Sequence, residues 1–163
     1  TRRSSDLEEA NRQAEEANKK AEEANQRAEE AKVQAGADSQ AAKKALEAAE
    51  KAQKLAEEAQ LKVEKLEFQS GKPSIKAVKN TKKKQVKVSW KKISGADGYT
   101  IQYSTKPNFK GAKKVTIKTN TVTRTIKKLK SGKRYYLRVR AYKTISGKKV
   151  YTNYSNKKSV RVK

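Results

Sequence analysis

Residues 129–142 read Leu129-Lys130-Ser131-Gly132-Lys133-Arg134-Tyr135-Tyr136-Leu137-Arg138-Val139-Arg140-Ala141-Tyr142. From Tyr135 onward the side chains alternate. Tyr135, Leu137, Val139 and Ala141 fall on one face, and Tyr136, Arg138, Arg140 and Tyr142 on the other. A period of two belongs to a β-strand, and a dry face backed by a wet one belongs to an antiparallel sheet. The alternation recurs in Val86-Lys87-Val88-Ser89-Trp90 and Tyr99-Thr100-Ile101-Gln102-Tyr103, and more weakly at 115–117, 122–126 and 160–162. Turn signals at 94–98, Pro107-Asn108, Ser131-Gly132 and Ser146-Gly147 separate the runs. Such a succession of short strands predicts a seven-stranded β-sandwich over residues 73–163, with Trp90, Tyr99, Tyr103 and Tyr135 in its core.

Upstream of Gln69-Ser70-Gly71-Lys72 the period changes to seven. Residues 8–35 repeat as EEANRQA, EEANKKA, EEANQRA and EEAKVQA. Ala10, Ala14, Ala17, Ala21, Ala24, Ala28, Ala31 and Ala35 form a heptad seam with Ala at both a and d. A second seam follows: Ala42, Ala45, Ala49, Ala52, Ala56, Ala59, Val63 and Leu66. Between them, Gly36 suits the end of one helix, and Asp38 or Ser39 the start of the next. Two architectures follow. In one, residues 5–69 fold as an antiparallel hairpin of two helices, each about 45 Å long. In the other, one continuous helix pairs with a second copy, since the heptad keeps its phase through Ala31, Ala35, Asp38, Ala42 and Ala45. Residues 70–72 are then the linker, where Gly71 and Pro73 stop the helix. Ala seams let helices approach closely but bury little area per layer.

Charge divides the chain at the same place. Residues 1–70 carry 13 Lys/Arg and 16 Asp/Glu; residues 71–163 carry 29 Lys/Arg and a single carboxylate, Asp97. Without Cys or His the chain has no thiol nucleophile, imidazole base, disulfide or Cys/His zinc site. No catalytic, cofactor-binding or metal-binding residues are assigned. The repeated Glu-Glu pairs sit on the solvated helix face, not in a pocket. No apolar run is long enough for membrane insertion. The opening Thr1-Arg2-Arg3-Ser4 reads as an excised or processed fragment.

Some of these residues resemble a known family. Pro73, then Val86, Val88 and Trp90, then Gly98, Tyr99, Ile101 and Tyr103 resemble strands A, B and C of a fibronectin type III domain. Residues 129–141 resemble its L-x-P-G-x-x-Y-x-x-x-V-x-A signature, with Tyr135 as the tyrosine corner and Ser131 where Pro is common. Arg124 stands where an aromatic is often found. The Lys-rich version, as in Trp90-Lys91-Lys92-Ile93-Ser94-Gly95, is similar to copies in surface proteins of Gram-positive gut bacteria. The helical half resembles the coiled coils of streptococcal M-like surface proteins. The resemblance implies a non-enzymatic spacer or binding module, extracellular and associated with the cell surface or cell wall. Residues 143–149 contain no RGD, so integrin binding through that loop is not implied.

The leading expectation is therefore a bacterial surface stalk or adhesin that contacts a host protein or an anionic polysaccharide. Leu46, Leu55 and Leu61, off the seam of the second helix, are the candidates for a protein partner. Lys82, Lys83, Lys84, Arg138, Arg140, Lys148 and Lys149 are the candidates for a polyanion. Tyr136 and Tyr142 beside Arg138 and Arg140 would suit a sugar or a base. Alternatives are self-association through the Ala seam, nucleic-acid binding by the basic sandwich, and an engineered helical scaffold fused to a sandwich.

Overall fold

Ala-rich heptads make two helices: α1, Arg2–Ala35, and α2, Gln40–Ser70. The computed structural model describes residues 2–37 and 39–163, so Thr1 and Asp38 lie outside the described residues. Gly36 ends α1 with φ +79, where a side chain would be strained. Ser39 restarts the chain: its Oγ accepts the Ala42 amide at 3.1 Å, capping α2. The helix is thus broken at 36–39, and the continuous-helix alternative gives way to the hairpin. Gln60 donates to Asn18 at 3.1 Å and Lys62 to Gln13 at 3.0 Å, so the numbering rises on one helix as it falls on the other. Ala10, Ala14, Ala21 and Ala28 of α1 and Ala42, Ala49 and Ala56 of α2 are buried, whereas Ala17, Ala24, Ala31, Ala45, Ala52 and Ala59 are half-buried. Two helices alone enclose only one side of a heptad seam. The Glu pairs stay exposed.

The chain divides into two units, Thr1–Glu67 and Phe68–Lys163. In the second, eight strands make two antiparallel sheets. β1 (Ile75–Lys82), β2 (Gln85–Trp90) and β5 (Thr123–Ile126) form one, in the order β1-β2-β5. β4 (Lys113–Ile117), β3 (Gly98–Ser104), β6 (Arg134–Ile145) and β7 (Lys148–Tyr151) form the other in the order β4-β3-β6-β7, and β8 (Lys158–Arg161) also pairs with β6. The inward residues fill the space between them. Val86, Val88 and Trp90 of β2, Tyr99 and Ile101 of β3, and Val139 and Ala141 of β6 are completely buried. The Trp90 and Tyr99 rings pack 5.2 Å apart. Phe68 joins this core, and Tyr103 packs against its edge.

Seven strands were expected and eight are present because the last one is broken. Both β7 and β8 lie along the edge of β6 opposite β3. Between them the chain leaves regular geometry, yet the ladder stays filled. The Thr152 and Ser155 amides donate to the Ala141 and Val139 carbonyls at 3.1 and 2.7 Å. In return, Thr152 Oγ1 and Ser155 Oγ accept the Ala141 and Val139 amides, each at 3.0 Å. Side-chain oxygens stand in for the backbone carbonyls that the break removes.

Candidate functional site

The register fixes which loops share an end of the sandwich. Lys82 pairs with Gln85, Val86 with Ile126, Ser104 with Tyr136 and Arg134 with Arg161. The β1–β2 turn and the loops 105–112 and 127–133 therefore gather at one end. The turns at 91–97 and 146–147 gather at the other.

At the first end the backbone is tied down while its lysines project. Leu129 is buried and its amide donates to the Lys84 carbonyl at 3.1 Å. The Lys130 amide donates to the Tyr135 hydroxyl at 3.2 Å, the tyrosine corner. Gly132 N–H donates to Val162 O at 2.8 Å, and Val162 N–H to Lys133 O at 2.9 Å. The facing loop is held from within: Ser104 Oγ accepts the Lys106 amide at 3.1 Å and donates to the Lys110 carbonyl at 3.3 Å. Phe109 and Lys128, one in each loop, adopt positive φ of 61 and 59.

The two loops enclose a cleft of about 750 Å³. Lys106, Lys110 and Lys113 line one wall and Lys128, Lys130, Lys133 and Arg134 the other, with Tyr103, Tyr135 and Tyr136 between. No carboxylate lines it. Every one of those cations is solvent-exposed. The Tyr103 and Tyr135 rings lie 6.3 Å apart. Burial, and secondarily Tyr135, holds the Tyr103 phenol above its usual pKa, so it remains a neutral hydroxyl. Tyr103 also lines a second cleft of about 710 Å³, which opens between the free edges of β4 and β5 beside Lys87, Arg124 and Lys127.

The cations selected from the sequence do not share one site. Lys82, Lys83 and Lys84 lie at the β1–β2 turn, next to the first cleft's loop. Lys148 and Lys149 begin β7 at the opposite end, where Lys149 Nζ sits 4.6 Å from the centre of the Tyr142 ring. Arg138 and Arg140 lie on the outer face of β6, but within a stack. The Arg138 guanidinium lies 4.2 Å from the Phe109 ring centre and 4.1 Å from that of Tyr154, and Arg140 lies 3.8 Å from Tyr151 and 4.8 Å from Tyr154. Arg138 Nε donates to Gln102 Oε1 at 2.7 Å. Tyr142 is not an open aromatic: it is buried over Gly98 and its hydroxyl donates to the Ile117 carbonyl at 3.3 Å.

On α2, Leu46 and Leu55 are 42% and 55% exposed, and Leu61 is half-buried. Nine residues at 3.6 per turn place Leu46 and Leu55 on opposite flanks, so the three leucines do not form one patch. Among the described residues no helix is long and apolar enough to cross a membrane.

A sandwich of two antiparallel sheets with a tyrosine corner is the architecture shared by immunoglobulin-like and fibronectin type III domains. Residues 71–156 match the fibronectin type III domain, and the chain belongs to that family. Three solved structures are similar in fold. The chicken CNTN1 FN1-FN3 domains are 21% identical with a TM-score of 0.49 over 58% of this chain, which spans only 31% of theirs. A structure described as a myokine is 17% identical with a TM-score of 0.46 over 56% of this chain and 96% of its own. The fn3 domain of human contactin 1 is 16% identical with a TM-score of 0.46, over 55% of this chain and 73% of its own. No curated protein matches.

Proposed function

We propose that the chain is a non-enzymatic piece of an extracellular surface protein, with the helical hairpin as spacer and the sandwich as the part that binds an anionic polymer. The observation that carries this reading is the charge of residues 71–163, 29 Lys/Arg against Asp97. Asp97 is itself engaged, accepting the Thr144 amide at 2.7 Å. A domain so unbalanced repels itself and attracts polyanions through a field that salt screens. The fold supports the rest: fibronectin type III domains are generally binding or scaffold modules. A bacterial adhesin, with a cell-wall polymer or a host glycan as its partner, is the fullest form of the proposal.

The test is binding of the full chain to immobilised heparin and to uncharged dextran across a salt series. The expected result is retention on heparin alone, with affinity falling steeply from about 0.05 to 0.2 M salt. Failure to bind heparin at low salt, or binding indifferent to salt, would remove the polyanion from the account.

A further inference from the structure

We infer that the cleft between loops 105–112 and 127–133 is the polyanion site, and that it takes a linear polysaccharide bearing sulfate or carboxylate groups. This rests on the anionic-polymer reading above and adds to it a place and a chemistry.

Three observations converge. First, the cleft concentrates charge from both walls, with Lys106 and Lys110 facing Lys128, Lys130 and Lys133. Elsewhere the exposed lysines stand on single turns, as at Lys82-Lys83-Lys84 and Lys91-Lys92, with no facing basic wall, and Arg138 and Arg140 have their faces covered by aromatic rings. Second, the backbone under these lysines is anchored by the buried Leu129 and by the Lys130 amide's bond to the Tyr135 hydroxyl. Two non-glycine residues there, Phe109 and Lys128, hold left-handed conformations, which tend to collect at ligand sites. A charged polymer would therefore meet positions already fixed, and little ordering is needed on binding.

Third, the shape and the aromatics discriminate between polyanions. Tyr103 lines both this cleft and the second one, which carries Arg124 and Lys127, so basic residues extend on both sides of Tyr103 and suit a linear ligand better than a compact one. Lysines are point charges suited to oxyanions at irregular spacing, whereas Arg forks read planar groups. A single-stranded nucleic acid needs open ring faces for successive bases. Here Tyr135 is buried with its ring packed against that of Tyr103, and half-buried Tyr136 has Lys157 Nζ 5.9 Å from its ring centre, so the cleft offers no row of stacked open rings. The neutral Tyr103 hydroxyl instead suits a hydrogen bond to a sugar hydroxyl or a sulfate.

The experiment measures affinity of the full chain for a fluorescent heparin octasaccharide at about 0.15 M salt. Two variants remove the same charge. Lys106→Gln/Lys128→Gln/Lys130→Gln removes three of the cleft's seven cations, and Lys91→Gln/Lys92→Gln/Lys148→Gln removes three from the opposite end. The expected loss is about tenfold or more for the cleft variant and less than about threefold for the other. If the first variant melts early, Lys106→Gln/Lys110→Gln on one wall replaces it, with a loss of at least about threefold expected. Equal losses at both ends would overturn the cleft as the site while leaving polyanion binding intact. No binding by the unmodified chain would take down the underlying reading instead. A single-stranded oligonucleotide of equal charge is expected to bind about tenfold more weakly; equal or tighter binding would overturn the polysaccharide.

Discussion

Gly98 pairs with Tyr142 across β3 and β6, and the pair explains why an outward tyrosine is buried. A Cβ at Gly98 would lie 2.1 Å from the Ile117 carbonyl oxygen and 2.7 Å from the Tyr142 hydroxyl. Gly98→Ala must therefore push the β4 backbone or expel the ring. The expected cost is about 2 kcal/mol or more, read from urea unfolding. A loss below about 0.5 kcal/mol would show that the ring has somewhere else to go. Alternation along β6 placed Tyr142 on the outer face correctly. It could not show burial, because that depends on the missing side chain of a residue 44 positions away. Trp90, Tyr99 and Tyr135 were legible because large rings on the dry face of a strand have nowhere else to pack. Arg138 and Arg140 were legible as outward cations, but not as members of a stack whose rings come from Phe109, Tyr151 and Tyr154 on other segments.

The broken last strand is the element in which side chains do the work of backbone. Thr152→Val and Ser155→Ala each leave a buried β6 amide, that of Ala141 or Val139, without its acceptor. Each is expected to cost about 1–3 kcal/mol in chemical denaturation. A neutral result for both would mean that the gap is filled by water. This element was the least legible part of the sandwich. Lys148-Lys149-Val150-Tyr151 has no apolar alternation, and residues 143–149 read as a loop, although β6 runs to Ile145 and the turn is only Ser146-Gly147. The helices show the opposite difficulty. Their heptad phase survives across 36–39, which a continuous coiled coil would require. Local chemistry decided the outcome: the left-handed Gly36 and the Ser39 cap act on the backbone directly, whereas phase only permits.

For the whole molecule, charge is the property that composition made plain and topology made specific. The excess of cations beyond residue 70 was visible at once; their convergence was not. Lysine-flanked turns at Pro107-Asn108 and Ser131-Gly132 lie 24 residues apart in sequence, and only the strand order puts both at one end. Counting turns by strand direction would have found them. Counting lysines along a run favoured Lys82-Lys83-Lys84 and Lys148-Lys149, which lie at opposite ends. The measurement that bears most directly on this account is an amide NMR titration of the full, isotope-labelled chain with a heparin tetrasaccharide. Shifts are expected to concentrate in residues 103–113 and 127–136 and to extend to 123–127, with the helices and the 146–149 turn unmoved. Shifts centred on the 91–97 and 146–149 end, or spread evenly over every exposed lysine, would contradict it.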